Sequence, residues 1–135
     1  MAKYVEMTVP QGGDIKQCIV DFLVSQDTRD AVIIGAVGSA KDVVVANPVE
    51  HELPLKPMNT IFHEAVEVVA LNGEAMEWDR VPAALKQVYP DRNLPLFLHL
   101  HCACAMIGGH VFGGGLWGGT AFRSLRVFIL LCDKD

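Results

Sequence analysis

The clearest periodic pattern in the sequence is a helical one that follows Asp14. Apolar side chains recur at intervals of three and four residues, at Ile15, Cys18, Ile19, Phe22 and Leu23. This spacing places them on one face of an α-helix. Asp14 is suited to cap the helix, with Gln17 three residues later. The pattern predicts an amphipathic helix whose core-facing side includes Cys18.

Most other apolar segments predict β-strands, because they alternate or are rich in β-branched residues. They are residues 4–9, 31–38, 43–47, 65–71, 96–104 and 125–132. Ser39 to Asp42 predict a hairpin between the second and third segments, and Asn72-Gly73 predicts the end of the fourth. A glycine-rich connection is expected before the last segment, whose apolar run after Arg126 indicates burial on both faces.

Two further segments complete the pattern. Residues 48–60 contain three prolines and predict a loop or an edge strand. Residues 79–93 predict a short helix, VPAALKQVY, capped by Asp79. One main helix, many short strands and hairpin connections together indicate an α+β fold on a mostly antiparallel sheet. At 135 residues, we expect a single domain over residues 1–135.

Composition indicates self-association. Hydrophobic residues make up 51% of the chain and the mean hydropathy is +0.30, so part of the surface is expected to be buried between subunits. No apolar run has the length of a membrane span, and the first residues lack the layout of a signal peptide, which predicts a cytoplasmic protein. The four cysteines are then expected to be free thiols.

The charge balance argues against binding to nucleic acid. The chain has 11 Lys and Arg residues against 16 Asp and Glu residues, a formal net charge of −5. The arginines are dispersed along the chain, whereas contact with a phosphate backbone normally needs a basic patch.

The segment from His99 to His110, HLHCACAMIGGH, holds three of the five histidines. If residues 96–104 form a strand, alternation places His99 and His101 on one face and the two following cysteines on the other. A tight turn centred on Ala105-Met106 would then place His110 directly opposite His101.

Three converging imidazoles are suited to zinc or another divalent metal, with one coordination position left open. The same residues also fit a polar cleft, or hydrogen bonds at a subunit interface, with no metal bound. The sequence leaves both interpretations open. Because the cysteines are predicted to face the core, they are not expected among the ligands.

Glu67 is a further candidate for chemistry, because it lies within the apolar segment 65–71. A carboxylate there is a candidate general base or a partner to a histidine, or else it lies on a solvated face. His63 is a candidate fourth ligand or an exposed side chain at the end of a loop. With the three histidines as metal ligands, Glu67 as base would support hydrolysis or hydration.

Several short motifs resemble the plants-and-prokaryotes-conserved (PPC) domain, a domain of unknown function. They are GGDI at 12–15, AVIIGAVGSAKDVVVANP at 31–48, VEVVALNG at 66–73, HLH at 99–101 and GGHVFGGG at 108–115. The resemblance covers nearly the whole chain and implies an antiparallel α+β domain assembled as a homotrimer. From some prokaryotic members it also implies a metal, usually zinc, at the positions that here are His99, His101 and His110, with Glu67 nearby.

Plant relatives in this family join the domain to AT-hook segments that bind the DNA minor groove, and prokaryotic members often carry a DNA-binding label on that basis. This sequence contains no AT-hook core of Arg-Gly-Arg flanked by basic residues. We therefore expect a non-catalytic assembly or regulatory trimer that binds partner proteins, with a metal or small ligand at the histidines. A metal-dependent hydrolase or hydratase is the alternative, and direct DNA binding ranks third.

Overall fold

The computed structural model describes residues 1–89 and 93–132, and its elements are mostly strands. In chain order they are β1 (Lys3–Val9), α1 (Ile15–Ser25), β2 (Asp30–Pro48), β3 (Pro57–Phe62), β4 (Val66–Met76), α2 (Ala83–Val88), β5 (Phe97–Ala105) and β6 (Val111–Leu131). Short 3-10 turns at Trp78–Arg80 and Ile107–Gly109 precede α2 and β6. Within the described ranges, no helix has the length and apolar character needed to cross a membrane.

The strands form one antiparallel sheet with the order β1-β6-β5-β4-β2-β3. An additional pairing between β2 and β6 closes the part of the sheet made of β6, β5, β4 and β2 on itself. One helix of three turns accompanies this sheet. The predicted α+β class with a mostly antiparallel sheet is therefore confirmed.

The hydrophobic core lies on one side of this sheet, where α1 packs against β1 and β6. The helix begins as predicted, because Oδ1 of Asp14 accepts a hydrogen bond of 2.8 Å from the backbone N–H of Gln17. Ile15, Ile19 and Leu23 are buried, and the half-buried Cys18 packs against the same core. Local signals in the sequence were sufficient to locate this helix and its buried face.

The predicted hairpin at Ser39 to Asp42 is wrong, because β2 continues through these residues as one strand of 19 residues. Its ladder with β6 has register shifts on both sides of Ala40. Asp42 has a φ of 54°, in the left-handed region that Asp tolerates. The turn-like residues therefore mark β-bulges, which bend a strand without reversing it.

Two other predicted boundaries are also wrong. The glycine-rich segment is not a connection, because β6 includes Gly113 to Gly119 and pairs there with β5 and β2. β4 does not end at Asn72-Gly73 but continues to Met76. Glycines are tolerated in these ladders where two backbones approach closely.

Two other segments agree more closely with the predictions from the sequence. Residues 57–62 form the edge strand β3, which pairs with β2. The short helix is present as α2, but Asp79 lies in the preceding 3-10 turn and Pro82 occupies the N-cap position. The last part of the predicted segment 79–93 includes residues 90–92, which lie outside the described residues.

Gly73→Ala is expected to destabilise the sheet strongly. Gly73 has a φ of 157°, and a Cβ atom there would collide with the backbone of His99 and Leu100 in β5. We expect a loss of roughly 2–4 kcal/mol in the free energy of unfolding, measured by urea denaturation. Gly35→Ala is the matched control, because its Cβ would meet Phe128 at an ordinary 3.7 Å. Equal losses in the two variants would contradict this close approach of β4 and β5.

Candidate functional site

β5 presents two faces with different chemistry. Its core-facing residues are buried, and they are Leu98, Leu100, Cys102 and Cys104. His99 and His101 lie on the opposite face, as predicted, with their ring centroids 5.2 Å apart. A hydrogen bond with the neighbouring Cys104 thiol and burial both raise the pKa of Cys102. The same hydrogen bond lowers the pKa of Cys104. Both thiols are buried in the core, so the accessible ligand groups of β5 lie on its histidine face.

His99 is oriented by a carboxylate on the neighbouring strand. Glu74 pairs directly with His99 in the ladder between β4 and β5, and its Oε2 lies 3.4 Å from Nδ1 of His99. The Tyr89 ring packs against the His99 ring with centroids 5.0 Å apart. A carboxylate on one ring nitrogen is the usual arrangement behind an imidazole that binds a metal through the other.

The surroundings of His99 favour its neutral form. Burial lowers its pKa from the ordinary value of 6.5, and the charge of His101 lowers it further. The contact with Glu74 raises the pKa of His99 and so opposes this shift, whereas the charge of Lys16 lowers the pKa further. A neutral imidazole is the form that binds a metal ion.

The predicted opposition of His101 and His110 is wrong. His101 pairs with Gly115, and β5 and β6 are joined by a loop of residues 106–110. The backbone N–H of Met106 donates to the carbonyl of His110 over 2.7 Å. Because Met106 follows His101 by five residues, His110 lies about 17 Å farther along the hairpin.

Glu67 also lies away from the histidine pair. It is exposed and pairs with Ala105, at the loop end of β5. Ala105 lies four positions after His101, or about 14 Å along the strand. Within one chain, Glu67 is therefore not placed to act on a ligand held by His99 and His101.

His63 lies in neither of these regions. Its side chain is exposed, and its Nδ1 lies 2.9 Å from Oδ1 of Asp42. Over residues 1–89 and 93–132, no group of three or more His, Cys, Asp and Glu side chains is arranged to hold a metal ion. A single chain thus brings together His99, His101 and Glu74 without completing a metal site.

Two surface cavities adjoin His101. One, of about 190 Å³, is lined by Asn72, Gly73, Glu74, His99 and His101. The other, of about 340 Å³, is lined in part by Tyr89 and Trp117. Sequence reasoning missed Glu74, because it lies beyond the predicted end of its strand. No sequence pattern identified Tyr89 and Trp117 as site residues, because they belong to segments that approach His101 only in the folded chain.

Comparison with known proteins extends these observations. Residues 2–133 match the family model of the Plants and Prokaryotes Conserved (PCC) domain. A search of curated proteins gave no match.

Solved structures share the fold at low sequence identity. A plant- and prokaryote-conserved (PPC) protein from Pyrococcus horikoshii has a TM-score of 0.76 and 19% identity, over 98% of this chain and 80% of that one. A protein from Archaeoglobus fulgidus, described as metal-containing, has a TM-score of 0.73 and 21% identity, over 96% and 79%. A "putative DNA binding protein" from Bacteroides thetaiotaomicron has a TM-score of 0.70 and 15% identity, over 100% and 86%.

NMR titration without metal is expected to find the pKa of His99 below 6.5. Replacing His101 with Gln should raise this pKa, because a neighbouring positive charge is removed. Replacing Glu74 with Gln should lower it, because the carboxylate favours the protonated ring. Shifts of the opposite sign would contradict the arrangement described for these three side chains.

The same titration has a consequence for stability. Since folding lowers the pKa of His99, the unfolded chain binds more protons between the folded pKa and about 6.5. The free energy of unfolding should therefore decrease as the pH falls through this window. Urea denaturation at a series of pH values is expected to show a smaller decrease for His99→Gln. If the free energy of unfolding decreased equally in wild type and variant, titratable groups other than His99 would be responsible for the effect.

Proposed function

The chain belongs to the Plants and Prokaryotes Conserved domain family, and we propose that it acts as a homotrimeric assembly or regulatory domain that carries a divalent metal such as zinc. The observation behind this proposal is the neighbouring pair His99 and His101 on one sheet face, with Glu74 against His99. Imidazole nitrogens are donors that zinc accepts, and a carboxylate on the other ring nitrogen orients the imidazole for this role. When bound, such a metal would supply Lewis-acid chemistry and bind a small ligand.

In the proposed trimer, His99 and His101 of one copy meet His110 of the next. His110 belongs to an exposed loop about 17 Å along the hairpin from the His101 of its own chain. A ring with threefold symmetry joins two different surfaces of each chain. The histidine face of β5 and the loop of residues 106–110 are suited to be those two surfaces. The first carries His99 and His101, and the second carries His110.

Exposed apolar side chains support the proposed association. On β2 and β4 they include Val32, Ile34, Val37 and Val69, which are 42%, 52%, 57% and 60% exposed. Contact between subunits would remove this apolar surface from water. None of the four cysteines forms a disulfide bond in the structure, which accords with the cytoplasmic location that we propose.

For partners, we propose other proteins rather than DNA. Some structural relatives carry a DNA-binding description, and the relative from Archaeoglobus fulgidus is described as metal-containing. The metal-containing description agrees with the imidazole pair of this chain. The net charge of −5 does not favour contact with a phosphate backbone.

Native mass spectrometry with elemental analysis tests the metal and the trimer together. We expect a trimer with about one divalent metal per chain. His101→Ala should lose the metal because it removes a ligand, whereas the control His51→Ala, in an exposed segment, should keep it. A metal-free protein that does not change on addition of zinc would contradict the metal, and a monomer would contradict the trimer.

Mixing two variants tests whether the ligands come from two copies. His101→Ala and His110→Ala should each lose the metal when alone. In any mixed trimer, one interface pairs the intact His101 of one variant with the intact His110 of the other, so about one site in three should recover. No recovery in mixed trimers, verified by mass, would show that the ligands come from one chain.

A metal-dependent hydrolase or hydratase is the second candidate. The observation that favours it is the position of Glu67 at the loop end of β5, so that Glu67 would accompany His110 to the neighbouring histidine pair. Its carboxylate would there accept a proton from water. Glu67→Gln should abolish hydrolysis of chromogenic esters by the zinc-loaded trimer without loss of metal, whereas Glu64→Gln should not. Absence of activity in the wild-type trimer across ester and phosphoester substrates would remove this candidate.

A further inference from the structure

The cavity of about 340 Å³ beside His101 has the character of a small-molecule site. It lies where β2, β6 and the end of α2 meet. Most of its walls are apolar, and they include Pro48, Leu55, Pro57, Val88 and Trp117. Its volume falls at the lower end of the range for sites that enclose small organic ligands.

Trp117 supplies a flat wall that its neighbours hold in place. Its ring lies against Tyr89, with centroids 5.2 Å apart and an interplanar angle of 31°. Tyr89 is itself buried and packs against Phe97 at 5.4 Å. A fixed indole surface favours a planar ligand, because offset stacking requires little rearrangement of the protein.

The polar groups that line the cavity include no permanently charged side chain among the described residues. Besides the indole N–H of Trp117, the polar groups that line it belong to Asn47, Tyr89 and His101. Nδ2 of Asn47 donates to the carbonyl of Gly113 over 3.3 Å, which orients the amide. None of the described lining residues is Asp, Glu, Lys or Arg. A charged ligand would lose hydration here without meeting a permanently charged side chain, whereas an uncharged ligand could form hydrogen bonds.

We propose that this cavity binds a small, uncharged, planar heteroaromatic molecule of about the size of an indole or a purine base. The ligand stacks on Trp117 and forms hydrogen bonds with the polar side chains at His101. This binding goes beyond the metal site proposed above and needs no metal. The glycines of β6 make it possible, because Gly114 and Gly115 contribute backbone without side chains to the cavity wall.

The test uses 5-fluoroindole as the uncharged probe and 4-fluorobenzoate as an anionic probe of similar size. Binding is followed by fluorine NMR line broadening in the presence of EDTA, so that the metal site does not contribute. The oligomeric mass of each sample is measured in parallel. Trimer or metal formation can therefore fail in these samples without affecting the result for the cavity.

Gly115→Val is the variant that fills the cavity. A Cβ atom at Gly115 would lie 3.5 Å from the carbonyl oxygen of Ala46 and 3.7 Å from the hydroxyl oxygen of Tyr89, which are ordinary contacts. Gly118→Val is the matched control, because Gly118 lies on the same strand with its nearest neighbour, Val44, at 3.9 Å. Gly118 is not among the residues that line the cavity. If either valine lowers the melting temperature, the corresponding alanine variants repeat the comparison.

We expect 5-fluoroindole to bind wild type and Gly118→Val alike, and Gly115→Val at least about tenfold more weakly. The benzoate probe should bind wild type at least about tenfold more weakly than the indole. No binding of 5-fluoroindole at millimolar concentration would overturn the proposal, as would equal effects of the two valines. Equal or tighter binding of the benzoate would overturn the assigned ligand class. If Gly115→Val instead changes the oligomeric mass while wild type binds no probe, the cavity is a contact between copies.

Discussion

The backbone ladder between β2 and β6 is the constraint on which the rest of the structure depends. It runs from the pair Ala31–Leu131 to the pair Ala46–Gly115, and the outer strands β1 and β3 attach to these two strands. Register shifts interrupt the ladder at four places. Because bulges bend and twist a strand, β2 and β6 can curve far enough for β4 and β5 to close the sheet between them.

Within this sheet, β5 pairs with β4 on one side and with β6 on the other. The residues of these partners determine the surroundings of its side chains. On the inner side, leucines and cysteines join the core. On the outer side, His99 lies opposite Glu74 and His101 lies opposite Gly115. The carboxylate orients the first histidine, whereas the glycine leaves the second uncovered. The absence of a side chain at Gly115 leaves His101 without a side-chain neighbour on β6, next to the cavity that both residues line.

Features that depend on neighbouring residues could be predicted from the sequence. The cap at Asp14, the buried face of α1 and the two faces of β5 follow from spacing alone, and the structure has all three. The family was also recognisable from its short motifs.

Features that depend on a distant partner could not be predicted in the same way. Small and polar residues such as Ser39 favour a turn and a bulge alike, and pairing with β6 decides between them. The loop between β5 and β6 has five residues because Gly108 and Gly109, with φ values of 82° and 81°, extend it beyond a two-residue turn. That difference moved His110 away from His101, so the local pattern identified the candidate ligands but not their arrangement.

The length of this loop has a thermodynamic consequence. Since His110 cannot reach the His101 of its own chain, any site that uses all three histidines exists only in an assembled state. Metal binding and self-association are then linked equilibria. Dilution of the protein weakens metal binding, and bound metal stabilises the assembly by the same factor. In such a protein, the assembled fraction would depend on both the protein concentration and the metal concentration through a single equilibrium.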